Sequence, residues 1–191
     1  MEQIYFSMKK TYLTSVIKQF EYYKSLGDKT IMQLSYDDLK KEFAQDSNSI
    51  AIIVKHLVGN MLSRWTNFLT EDGEKEWRQR DQEFIDNFHS KEDLLQAWND
   101  GWNCLFSAIK PLSKTNLEQI IYIRNEGHSV TEAINRQMMH YAYHVGQIVF
   151  IGKLIKREHW PSLSIPKGQS KVYNKDKFQQ DKSLKHFTDE L

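Results

Sequence analysis

Between Ser129 and Glu158 the chain runs thirty residues without a proline, and its apolar positions keep one rhythm throughout. Ile134, Met138, Tyr141, Val145, Ile148 and Gly152 follow at steps of four and three, which places them on one face of a helix and is incompatible with a strand. Ser129-Val-Thr-Glu132 opens the run as a capping box, a serine and a glutamate satisfying each other's end of the first turn. A helix of this length is among the largest single pieces a small domain can hold, so the rest of the chain must pack along it. The neighbouring stripe carries Ala133, Gln137, His140, His144 and Ile151. His140 and His144 are four apart, so their imidazoles stand one turn above each other and can reach a common point.

Three other long segments have the same character, and three Pro and eight Gly in the whole chain favour long helices. The first, Ile4 to Leu26, puts Phe6, Leu13, Val16, Ile17 and Phe20 on one side, with Gly27-Asp28 as its stop. Leu34 to Leu39 makes a short helical turn in the connection that follows. The second, about Ser47 to Leu69, has N-cap candidates in Asp46, Ser47, Asn48 and Ser49 and a wide apolar face from Ile50 to Phe68. Along the edge of that face runs a mostly polar line, Ser49, Ile52, His56, Asn60, Ser63 and Asn67, which faces either solvent or a wet pocket. Thr70 to His89 is charged, with an Asp72-Gly73 turn, and reads as a long crossover or lid with some local helix. The third begins at Ser90-Lys-Glu-Asp93, a capping box with Asp in place of Glu, and runs through Leu94, Trp98, Trp102, Leu105 and Ile109 to Pro111. Ile120 to Ile123 are strand formers followed by an Asn125-Glu-Gly127 turn, which predicts a small hairpin or an extended loop before the last helix. The expected organisation is an all-α four-helix bundle over residues 1–160, with a long crossover between the second and third helices, and an extended or mobile tail over 161–191.

In a bundle the second and fourth helices can face each other, which would bring His56 to His140 and His144. Three neutral imidazoles with one position left for water make an open, reactive divalent-metal site, in which the metal acts as a Lewis acid and lowers the pKa of a bound water or thiol. Asn60, Arg64 and Gln147 lie about one turn from these histidines and could orient them or a ligand. Arg78 and Arg80 in the crossover could meet an anion, although loop arginines are ordinarily exposed. His128 is the best spare ligand. Cys104 reads as a small half-buried hydrophobe. Several familiar sites are excluded. A zinc protease needs Glu directly after the first His, where Tyr141 stands, and a ferritin-like pair needs Glu three before each His, where Gln137, Tyr141 and Ile53 stand. There is no Gly-rich phosphate loop and no Gly-x-Ser-x-Gly elbow.

Composition narrows the partners. Lys plus Arg is 26 against 25 Asp plus Glu, a balance that gives no electrostatic reason to expect nucleic acid or a membrane surface. No apolar run approaches the roughly 20 residues of a membrane helix. One cysteine forbids an intramolecular disulfide, and with no signal-like N-terminus a cytoplasmic location is the default expectation.

The order of parts resembles the DinB/YfiT-like metal-binding bundles, in particular a bacterial DinB-like subfamily of unassigned function. The stretches that carry the resemblance are His56-Leu-Val-Gly-Asn60-Met-Leu-Ser-Arg64-Trp65, Asp72-Gly73-Glu74, Arg80-Asp81-Gln-Glu-Phe84, His140-Tyr-Ala-Tyr-His144-Val-Gly-Gln147 and Ile165-Pro-Lys-Gly168. The resemblance implies an up-down-down-up bundle, a divalent Ni, Zn, Mn or Fe on His56, His140 and His144, and a homodimer. It implies a transferase that activates bacillithiol, mycothiol or glutathione for attack on an electrophile. A metal-dependent hydrolase and a non-enzymatic metal-binding stress protein are the other readings.

Overall fold

The computed structural model describes residues 2–189, with side chains from Tyr12 onward; the expected core positions Ile4 and Phe6 therefore lie outside the described side chains. The chain is mainly helical. In order come α1 (Glu2–Met32), α2 (Tyr36–Leu39), α3 (Ile50–Trp65), α4 (Lys91–Ile109), the hairpin strands β1 (Ile120–Ile123) and β2 (Glu126–Ser129), α5 (Val130–Lys156) and α6 (Ser170–Phe178). A 3-10 turn at Arg80–Phe84 lies in the crossover between α3 and α4. Helix α3 packs along α4 and α1 along α5, while α3 and α5 also touch directly.

The caps sit where the side chains predict. Ser49, the last of the four N-cap candidates, accepts from the Ile52 amide, and Ser129 and Glu132 form the complete box that starts α5. At α4 the box is modified. Ser90 accepts from the Asp93 amide, but the Asp93 carboxylate takes the His89 amide rather than that of Ser90.

Four aromatic residues join the helices at the centre. Trp98 and Trp102 of α4 meet edge to face at 5.4 Å, Trp102 reaches Tyr141 of α5 at 5.9 Å, and Phe20 of α1 touches both Trp102 and Tyr141. Edge and tilted packings of this kind add to simple area burial because ring edges and faces carry opposite partial charge. Tyr141 is fully buried, and its hydroxyl is satisfied twice: it accepts from the Trp65 indole at 2.9 Å and donates to Asn60 Oδ1 at 3.0 Å. One polar chain thereby fixes the register of α3 against α5.

Three local expectations change. Gly27-Asp28 does not stop the first helix, which continues to Met32. Gly27 instead makes room for α4, since a β-carbon there would stand 2.5 Å from the Trp98 ring, and the Asp28 carboxylate accepts from the Trp98 indole at 2.7 Å. The hairpin exists, but its turn is one step earlier than Asn125-Glu-Gly127. Arg124 and Asn125 both have positive φ, as a tight primed turn demands, and Asp72 holds them by accepting both of their amides at 2.8 Å. The tail, over its described residues 161–189, is not extended throughout. It contains α6, and its end returns to α1, where His186 meets Ser15, Asp189 pairs with Lys18 and Phe187 packs on Tyr22.

Candidate metal centre

The direct meeting of α3 and α5 brings His56 to His140 and His144. The three rings pack edge to face with centroids 4.8 to 5.4 Å apart. One ring nitrogen from each lies within 4.8 Å of the others, and this is the group of three metal-ligating side chains found among the described residues. Nε2 of His56 stands 3.3 Å from Nε2 of His140. Two ligands on a tetrahedral zinc at ordinary bond lengths are about 3.3 Å apart, so this pair needs no movement to share an ion.

Two of the three outer nitrogens are held in the way that suits a metal ligand. His56 Nδ1 donates to Glu83 Oε2 at 2.9 Å, and His144 Nδ1 donates to Gln147 Oε1 at 2.7 Å. Each bond fixes a tautomer, leaving Nε2 of both rings with a lone pair for a cation. Burial, helped by the neighbouring imidazoles and by Arg64 and Arg78, pushes the His140 pKa down to about 3. Burial also lowers His144, partly offset by Gln147. Both are thereby kept in the neutral form that binds metal. The donor set fits a divalent ion, and the three-histidine group could hold one.

Glu83 was not legible from the sequence. It is 5% exposed, 27 residues from His56, and sits in the 3-10 turn among other acidic residues with no periodic pattern to mark it. Burial alone would raise its carboxyl, but hydrogen bonds from His56 and Arg78 and the Arg78 charge carry it below the usual carboxylate range. Gly59 makes this reach possible, because a β-carbon at that position would overlap the Glu83 carboxylate. The next residue, Phe84, stacks its ring on His56 at 5.2 Å. The crossover therefore clamps His56 by a carboxylate on one edge and a ring on its face.

The other expected residues divide. Gln147 touches His144. Asn60 reaches the site through Tyr141, whose neighbour in sequence is His140. Arg64 does not touch a histidine; it binds Glu74 through both terminal nitrogens at 3.0 Å and also the Gly73 carbonyl. Arg78 is not an exposed loop arginine. Its side chain is 2% exposed and grips Glu83 with two bonds, 2.7 and 2.9 Å, while leaning on Glu74. His128 lies beside Arg136 and outside the trio. Cys104 is half-buried against Thr66 and the Met61 carbonyl. A cleft of about 230 Å³ opens on His56 and His140, with Asn60 and Arg64 on its wall.

The family described as Protein of unknown function (DUF1572) matches residues 7–169, and the chain belongs to this family. Comparisons with curated proteins and with solved structures returned no match. No helix among the described residues is long and apolar enough to cross a membrane.

Proposed function

We propose that this chain is a divalent-metal-dependent transferase of the DinB/YfiT-like superfamily, in which His56, His140 and His144 hold Ni, Zn, Mn or Fe and a low-molecular-weight thiol of the bacillithiol type is transferred to an electrophile. In this reading α1, α3, α4 and α5 form an up-down-down-up four-helix bundle, and the site lies where α3 faces α5. The observation that carries the reading is a cluster of three histidines beside an open cleft, with no fourth protein ligand among the described residues. A structural metal site is closed by four side chains, whereas a reactive one keeps a position free. A bound ion supplies a Lewis acid that lowers the pKa of a thiol or water next to it.

The protein's own groups do the positioning. Glu83 and Phe84 hold the His56 ring, Gln147 holds His144, and the Tyr141–Asn60 bond keeps the two helices in register. A reducing cytoplasm suits both such a thiol and the lone Cys104. A second copy of the chain covers the outer face of α5, where Met139 is 73% and Tyr143 and Phe150 each 63% exposed at helical spacing. Phe150→Glu is expected to convert a dimer into a monomer by light scattering; a wild type with the mass of one chain contradicts the homodimer.

The test is conjugation of a chlorodinitrobenzene to bacillithiol, mycothiol or glutathione by zinc- or nickel-loaded protein. The rate is expected to depend on the thiol and to fall at least about 100-fold in His144→Ala, beyond the loss of an outer partner. Hydrolysis of an activated ester without thiol, lost in the same variant, would replace the transferase by a hydrolase. A metal-binding protein with neither activity would leave the non-enzymatic reading.

A further inference from the structure

We propose that the cleft beside the three histidines is a pocket for an oxyanion, and that the small molecule acted on there carries a carboxylate or phosphate group; this rests on the reading of the histidines as a reactive centre. Five arginines line the cleft: Arg64, Arg78, Arg80, Arg124 and Arg136. Two carboxylates answer them. Glu74 is shared by Arg64, Arg78 and Arg124, and Glu83 is bound by Arg78. Counting these arginines and carboxylates, five positive charges against two negative leave a surplus of three. Among the described residues Arg80 and Arg136 meet no carboxylate. Arg80 lies over the Phe84 ring and Arg136 lies beside the imidazole of His128. A chain with a net charge of only +1 has gathered this excess in one place.

One buried donor points the same way. Nε of Arg64, a residue 6% exposed in the wall of this cleft, has no hydrogen-bond partner; Oε1 of Gln137, 3% exposed in the same wall, is also unpaired, but as an acceptor it takes a donor such as water rather than the anion. Unpaired buried donors and acceptors are rare because each forfeits its hydration, so a pair of them in one cleft marks a place where a ligand or water completes the bonding. Arg64 is preset for that task, because Glu74 and the Gly73 carbonyl hold its other nitrogens. The cleft of about 230 Å³ is smaller than the several hundred Å³ of a drug-sized site, so it suits a small acid or the charged end of a larger molecule. Because His56 and His140 belong to the same wall, an anion gripped by the arginines would hold the rest of its molecule against the histidines. Guanidinium groups recognise carboxylate and phosphate alike through paired, charge-assisted bonds.

Calorimetric titration of the metal-free full-length chain with malonate and, separately, inorganic phosphate at low ionic strength tests this. Saturable binding of at least one is expected, and the tighter of the two names the anion class. Affinity should drop about tenfold or more in Arg80→Gln/Arg136→Gln, the scale of one lost charge-assisted bond, and weaken as salt is added. Both arginines are exposed, so the double variant is expected to fold as the wild type does. His144→Ala, by contrast, should lose zinc and keep the anion, which separates failure of the pocket from failure of the metal centre. No saturable binding by the wild type overturns the proposal. So does equal binding by the double variant, or binding that occurs only with zinc present and is indifferent to the arginines.

Discussion

Glu83→Ala is expected to lower the unfolding free energy by about 3 kcal/mol, the cost of breaking a buried ion pair and leaving one partner behind. The partner is Arg78, whose side chain is 2% exposed and whose two short bonds both go to Glu83. Its remaining contact, to Glu74 at 3.3 Å, is already shared with Arg64 and Arg124. The same substitution releases Nδ1 of His56, so the ring loses the bond that sets its tautomer and orientation. Zinc affinity should therefore fall about 10- to 100-fold as well. Glu83→Gln separates the two effects. It keeps an acceptor for His56 but removes the charge facing Arg78, so zinc affinity should survive better than stability. Urea unfolding of the metal-free protein and chelator competition measure the two quantities. Unchanged stability in Glu83→Ala would mean that the crossover is not pinned through this carboxylate.

How much of this could be read from the chain follows from the range of each interaction. The caps at Ser49, Ser90 and Ser129 are local, with partners three residues away, so the sequence shows them, although it offers four candidates at the start of α3 and a reciprocal box at Ser90 that does not close. The apolar rhythm of α5 and the polar line on α3 are periodic, so the sequence itself marks His56, His140 and His144. Glu83 and Arg78 are neither local nor periodic. Their role depends on the path of an irregular crossover, and nothing distinguishes Glu83 from Asp81 or Asp86 until that path is known. Gly27 shows the opposite failure. A glycine near a helix end is a sound stop signal, yet here its missing side chain serves a neighbouring tryptophan 71 positions later, and tertiary packing overrode the local reading. The hairpin turn differs for a related reason: Arg124 and Asn125 take the positive φ, and the residue that holds their amides, Asp72, belongs to the distant crossover.

His140→Ala carries the second large effect. Alanine is the better helix former, which offsets part of the ring packing that is lost at a half-buried position, so the metal-free fold should change by about 1 kcal/mol. Metal binding should not survive so well. With only His56 and His144 left, zinc affinity is expected to drop at least about 100-fold, near 2.7 kcal/mol. His128→Ala is the matched control, since that imidazole lies beside Arg136 and outside the trio, and its zinc affinity should equal that of the wild type. The decisive measurement is a zinc titration against a competing chelator on wild type, His140→Ala and His128→Ala, with helical content followed in parallel. A three-histidine metal centre predicts one zinc per chain, lost in His140→Ala and kept in His128→Ala at unchanged helicity. Absence of saturable zinc binding in the wild type, or equal binding in His140→Ala, would contradict it.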